Sequence, residues 1–182
     1  MRAAANPARR LADWRAQLQA AGTGAAPRHP VFLAMETSLK ELDLPKAPFD
    51  DLLSAYLQDC VKRRYETFDE VLDYCRRSAD PVGRVVLMIH GYRDAERFAL
   101  SDRVCTALQL ANFLQDVSVD LAKDRIYLPQ ADFRENGYTE ADLRMGVVNE
   151  RYRNVMRGLW KRTRELFEEG RPLGSRLHPP LS

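Results

Sequence analysis

Apolar residues recur at three- and four-residue spacing in segment after segment of this 182-residue chain, the period of helices that bury one face. Only the short apolar run at 85–89 has the length of a strand. No second run exists to pair with it, and a lone strand has nothing to satisfy its backbone. It is therefore read as helix, and the chain as all-α.

Local signals place the helices. Asn6 followed by Pro7 supplies a cap and a first-turn proline, and Leu11, Trp14 and Leu18 continue a helix over 7–21 until Gly22 closes it. A Gly-, Ala- and Pro-rich linker over 22–30 leads to Phe32, Met35, Leu39 and Leu42, after which Leu44, Pro45 and Pro48 end a second helix. From Phe49, residues Leu52, Leu53, Tyr56, Leu57 and Cys60 define a third, up to the basic cluster Lys62, Arg63, Arg64. Thr67 with Glu70 reads as a capping box opening a fourth helix through Val71, Tyr74 and Cys75 toward Asp80, with a bend at Pro81 and Gly83. A long helix spans about 95–123, and a last one runs over 149–170 through Tyr152, Met156, Leu159, Thr163 and Phe167. The expectation is one helical domain over 1–170, followed by a Pro-rich tail at 171–182 without periodicity and hence disordered.

Charge selects no partner by itself. Lys and Arg number 28 against 26 Asp and Glu, so the formal charge is +2 and nucleic acid is not indicated. A helical nucleic-acid binder using Arg63, Arg64, Arg76, Arg77, Arg151, Arg153 and Arg157 lacks both a net basic field and a recognisable motif. Arg heavily outnumbers Lys, which suits contacts with phosphates or carboxylates. Cys60, Cys75 and Cys105 are far apart, odd in number and set in apolar patterns, which fits a reducing cytoplasm. The basic N-terminus has no apolar run behind it, and nowhere is an uncharged apolar stretch long enough to span a bilayer.

The chemistry-bearing pattern lies in the long helix. Plotted at 100° per residue, Gln109, Asn112, Asp116, Asp120 and Lys123 fall within a stripe of roughly 80°. Leu108 and Val119 border it on one side and Phe113 on the other, while Leu110, Leu114, Val117 and Leu121 cover the back. A solvated face is the commoner origin of such a pattern; against it, Asp116 and Asp120 are like charges one turn apart with no Arg in the stripe. A divalent cation removes that repulsion. Two carboxylates and the Asn112 amide are hard oxygen donors of the kind Mg²⁺ takes, and Mg²⁺ shares its shell with waters and substrate phosphates. Arg125 and Tyr127, just past the helix, stand where diphosphate oxygens would lie; a surface charge and a core aromatic with a wet hydroxyl are their ordinary alternatives.

The run ALQLANFLQDVSVDLAKDRIYLP at 107–129 resembles the second aspartate-rich motif of the squalene and phytoene synthase family, with its trailing arginine and tyrosine. Upstream, VLDYCRRSADPVG at 71–83 resembles the family's tyrosine-cysteine helix and glycine bend. HPVFLAM from His29, LPKAPFDDLL from Leu44 and RRYETFDEVLDYC resemble the hydroxysqualene synthase branch, and the likeness covers nearly all of 7–170. The resemblance implies an isoprenoid synthase helical bundle around a central cavity, where two aspartate-rich helices hold magnesium on a prenyl diphosphate. It implies Asn112, Asp116 and Asp120 as magnesium ligands, Gln109, Arg125 and Tyr127 as groups that position the diphosphate, and Tyr74 as a cavity residue acting with Asp116 and Asp120 in catalysis. It also implies that presqualene diphosphate and water give hydroxysqualene and diphosphate, a step toward squalene and hopanoids, with head-to-head condensation of two prenyl diphosphates as the alternative. A lipid substrate of this kind would bring the protein to the membrane periphery.

The family's first aspartate-rich motif is expected upstream of Asn6, where nothing matches it, and its last helices would follow 165–170. The chain is thus expected to be truncated at both ends. One aspartate wall leaves fewer ligands for the metal and uncovers apolar surface, so a partner subunit that pairs with a complete synthase is the rival expectation.

Overall fold

The computed structural model describes residues 6–23 and 29–178. The linker residues 24–28 and the last four residues of the expected tail, 179–182, lie outside this range. The described residues form helices throughout, with a single isolated bridge between Arg64 and Ile126 in place of any sheet.

Helices α1 (Pro7–Ala20), α2 (Pro30–Glu41), α3 (Ala47–Asp59), α4 (Phe68–Ser78) and α5 (Asp80–Ile89) follow the expected segments, and the apolar run at 85–89 is helical. Asn6 caps α1 by accepting from the Ala8 amide. At α4 the capping box forms by half. Thr67 accepts from the Glu70 amide, but the Glu70 carboxylate turns to the Glu66 amide at 2.8 Å and to Lys62 at 2.9 Å.

The expected long helix is two. α6 (Ala95–Gln115) ends at Asp116 and α7 (Val117–Ala122) resumes at once. The bend does not rotate the polar stripe, because the Asp116 amide still bonds the Asn112 carbonyl and the Asp120 amide the Asp116 carbonyl, each at 2.8 Å. Two short helices, α8 (Gln130–Glu135) and α9 (Glu140–Arg144), were not anticipated; α9 carries a full capping box from Thr139 and Asp142. α10 (Glu150–Gly170) completes the set.

The expectation of disorder after 170 needs correction for the described part. Residues Arg171–Arg176 form a 3-10 helix that packs beside α6, held by Arg97 donating to the Arg176 carbonyl and by the His178 amide donating to the Tyr92 hydroxyl. Proline at its start fixes φ without needing a donor, so a Pro-rich segment suits this short turn.

The core is built around α6. α10 and α5 pack on it most extensively, and glycines permit the closest approaches. A Cβ on Gly170 would lie 2.6 Å from a Val104 methyl and 3.1 Å from the α6 backbone; one on Gly83 would lie 2.3 Å from Ser101 Oγ and 2.5 Å from Cys105 Sγ. One buried cluster joins Tyr65, Val71, Tyr74, Cys75, Leu110, Phe113 and Tyr127; a second joins Ile126, Leu128, Phe133, Tyr138, Val155 and Leu159. By contrast, Val82, Val86 and Ile89 on α5, with Leu108 and Val119 on α6 and α7, are uncovered among the described residues.

Candidate functional site

The sequence-derived residues divide into two groups that meet at Asp120. Asn112 and Asp116 are exposed on the stripe, Gln109 is half-buried, and none of the three side chains makes a hydrogen bond or ion pair among the described residues. Asp120 is more enclosed. Burial pushes its carboxyl above the usual range, Asp116 adds to the shift, and Lys123, 4.0 Å away, opposes it. That is the like-charge tension read from the helix pattern, now with a partly desolvated member. The stripe's borders differ: Phe113 turns into the core, while Leu108 and Val119 stand open.

The second group converges on a residue that sequence reading missed. Asp59, the last residue of α3, accepts the Tyr74 hydroxyl at 2.8 Å and the Tyr127 hydroxyl at 3.2 Å on its two carboxylate oxygens. Arg125 donates to the Asp59 carbonyl at 3.0 Å and lies 3.8 Å from its carboxylate. Tyr74, Arg125 and Tyr127, from α4 and from the loop after α7, thus share one anchor. A signal existed in the sequence: a carboxylate in the last turn of a helix opposes the helix dipole and needs an outside reason to sit there.

The phenols are locked as donors. Burial raises both, with the neighbouring phenol and the Asp59 charge adding to it at Tyr74 and the Asp59 charge doing so at Tyr127, which is pushed up to about 12. Neither is a proton acceptor near neutrality; each offers an oriented ring. Tyr127 stacks on Phe113 at 3.9 Å between centroids and 5° between planes, and lies 5.4 Å from Tyr65 and 5.6 Å from Tyr74. Arg125 keeps its Nε buried without an acceptor, a donor that an anion's oxygen or a water would satisfy.

The loop is held by backbone pairing. The Ile126 amide bonds the Arg63 carbonyl, and the Gln130 and Ala131 amides bond the Tyr65 and Glu66 carbonyls. Residues 126–131 thereby run beside 63–66, delivering Arg125 and Tyr127 to Asp59. The Arg125 amide closes back on the Asp120 carbonyl at 2.8 Å, tying the stripe to this cluster.

An all-helical bundle with an acidic helix face, an arginine and a buried aromatic cluster beside it fits the expected isoprenoid synthase fold, and comparison with known proteins shows the class. The squalene/phytoene synthase family model matches residues 1–182. The chain is 35% identical to a hydroxysqualene synthase of Rhodopseudomonas palustris, covering 88% of this chain and 55% of that protein. It is 35% identical to a phytoene synthase of Arthrospira platensis, covering 94% and 59%. The crystal structure of squalene synthase HpnC from Alicyclobacillus acidocaldarius superposes with a TM-score of 0.92 at 40% identity, over 98% of this chain and 68% of that one. The chain belongs to the squalene/phytoene synthase family, whose members are isoprenoid biosynthetic enzymes. It spans somewhat more than half the length of these curated relatives.

Proposed function

We propose that this chain carries the metal-diphosphate wall of a synthase that converts presqualene diphosphate and water to hydroxysqualene and diphosphate. The observation that carries the reading is the gathering of Tyr74, Arg125 and Tyr127 on Asp59 beside the acidic stripe of Asn112, Asp116 and Asp120.

The donor chemistry fits Mg²⁺ in a shared rather than closed site. The stripe offers hard oxygens, those of Asn112 and Asp116 without a side-chain partner among the described residues and those of Asp120 facing Lys123 at 4.0 Å, yet no group of three or more His, Cys, Asp or Glu among the described residues is placed to cage an ion. Asn112, Asp116 and Asp120 would hold the ion, which when bound neutralises charge growing on the departing diphosphate. Arg125 supplies a fixed positive charge to the same oxygens, preorganised by Asp59, and Gln109 stands one turn before Asn112 to hold a phosphate oxygen or its water. In the reaction the substrate's carbon–oxygen bond breaks, its electron pair leaving with the diphosphate. The carbocation then takes the oxygen of one water, which gives up a proton. Tyr74, Tyr127 and Phe113 pack ring against ring in the core beside the stripe, and Tyr74 would present the apolar, aromatic lining that tolerates such a cation while other water is excluded.

Similarity to phytoene synthases at the same identity favours one second reading, head-to-head condensation of two prenyl diphosphates. Supplying presqualene diphosphate and farnesyl diphosphate in separate reactions with Mg²⁺ distinguishes the two. Hydroxysqualene from the first alone supports hydration; a condensation product from the second replaces it. Silence with both, together with restored turnover on adding a complete synthase, would instead indicate a partner subunit.

A further inference from the structure

Arg125 and Tyr127 follow directly on Asp124, whose φ of 58° lies in the left-handed region that residues other than glycine rarely adopt. A residue persists there when its surroundings over-determine it, and such residues gather at functional sites. Here the surroundings are side chains on the outer surface. Arg64 donates to the Asp124 carbonyl at 2.6 Å and to its carboxylate at 2.7 Å. Arg144 reaches the same carboxylate oxygen at 2.6 Å. Glu140 takes a two-pronged contact from Arg64, both at 2.8 Å, and two further hydrogen bonds from Arg144, at 2.7 and 3.0 Å. Two separate segments, the loop between α3 and α4 and α9, thus close around the turn after α7. Hydrogen bonds from Arg64, then Arg144, hold both carboxylates down to about 2, so the cluster keeps its charges across ordinary pH.

Isolated surface ion pairs contribute little, but forked and shared contacts on a residue of unfavourable backbone conformation are a different case. The Arg63 side chain adds a contact to the Lys123 carbonyl, and the Arg63 carbonyl receives the Ile126 amide, so both flanks of Asp124 are fastened to the segment that bears Arg64.

We propose that Arg64, Asp124, Glu140 and Arg144 form a positioning clasp: by locking the turn from outside, they set Arg125 and Tyr127 against Asp59 and so strengthen the hold on a metal-bound diphosphate that they do not touch. This rests on reading Arg125 and Tyr127 as diphosphate-side groups. It adds four positioning residues whose side-chain hydrogen bonds and ion pairs, among the described residues, do not reach Asp59, Asp116 or Asp120.

The test compares Arg64→Met and Asp124→Gly with a control, Asp102→Asn. Glycine accepts the positive φ at no steric cost, so Asp124→Gly cuts the clasp without straining the turn. Asp102→Asn breaks a comparable forked pair with Arg84 that joins α5 to α6 instead. Two readouts are taken on the full chain: calorimetric affinity for inorganic diphosphate with Mg²⁺, and amide exchange of 125–128 without ligand. The clasp variants are expected to bind about tenfold more weakly and to exchange faster over 125–128, with the control unchanged in both. Unchanged affinity in the clasp variants, or equal weakening in the control, would overturn the proposal. If the parent chain does not bind Mg²⁺-diphosphate at all, the functional reading fails, and exchange alone decides: acceleration confined to 125–128 upholds the clasp and unchanged exchange overturns it.

Discussion

Replacing Asp59 removes three interactions at once, and the structure says how large the loss is. Its carboxylate accepts two phenol hydrogen bonds and faces Arg125, in a position only 15% exposed. Hydrogen bonds to a charged acceptor contribute about 1.5–3 kcal/mol each, and buried partners left unpaired cost about 1–3 kcal/mol. Asp59→Ala strands Tyr74 and Tyr127 and leaves the Arg125 charge uncompensated, so the expected destabilisation is about 3–5 kcal/mol. For a chain of this size that lowers Tm by about 6–20 °C. Asp59→Asn keeps an oxygen acceptor but loses the charge, and should cost roughly half as much. A double-mutant cycle of Asp59→Asn with Tyr74→Phe, followed by thermal and urea unfolding, should return a coupling of about 1–2 kcal/mol. A Tm change under about 2 °C for Asp59→Ala, or strict additivity in the cycle, would refute the shared-anchor account.

The glycine contacts give a ranked pair. Gly170→Ala drives a Cβ into the α6 backbone at 3.1 Å, which cannot move aside, and should lower Tm more than Gly83→Ala, which meets the small side chains of Ser101 and Cys105. Asp80 predicts a pH effect. It is 4% exposed, bonded to Thr106 at 2.7 Å, and burial pushes it up to about 6. Because the folded chain then binds this proton more tightly than the unfolded one, its contribution to stability falls as pH rises from about 4 to about 6. Asp80→Asn keeps an oxygen for Thr106 and should stabilise the protein by on the order of 2 kcal/mol at pH 7.5 but not at pH 4, read by urea unfolding. Arg125→Lys, with its fork lost, should weaken Mg²⁺-diphosphate binding about tenfold or more in calorimetry while leaving the helical spectrum intact.

Much of the fold was legible because amphipathic helices write their period into the sequence. The signals at Asn6, Pro7 and Thr67 mark helix starts that the structure keeps, while Pro48, read as the end of the second helix, and Pro81, read as a bend, sit in the first turns of α3 and α5. What stayed hidden was short or non-local. α8 and α9 are too brief for any period to emerge, and the bend at Asp116 leaves the i, i+4 bonds intact, so the pattern reads straight through it. The stripe of Asn112, Asp116 and Asp120 is local to one helix and could be drawn from spacing. The anchor at Asp59 depends on a pairing between 63–66 and 126–131, some sixty residues apart, which no local window contains. The same distance hid the clasp, since Arg64 and Asp124 meet only once that pairing forms.

The most direct test of the proposed function is diphosphate release from presqualene diphosphate by the purified chain and by Asp116→Asn, with and without Mg²⁺. Release with hydroxysqualene as product, dependent on Mg²⁺ and abolished by Asp116→Asn, is the predicted result. Release that proceeds equally in the variant, or that ignores Mg²⁺, would contradict the assignment of the stripe as the metal-diphosphate wall.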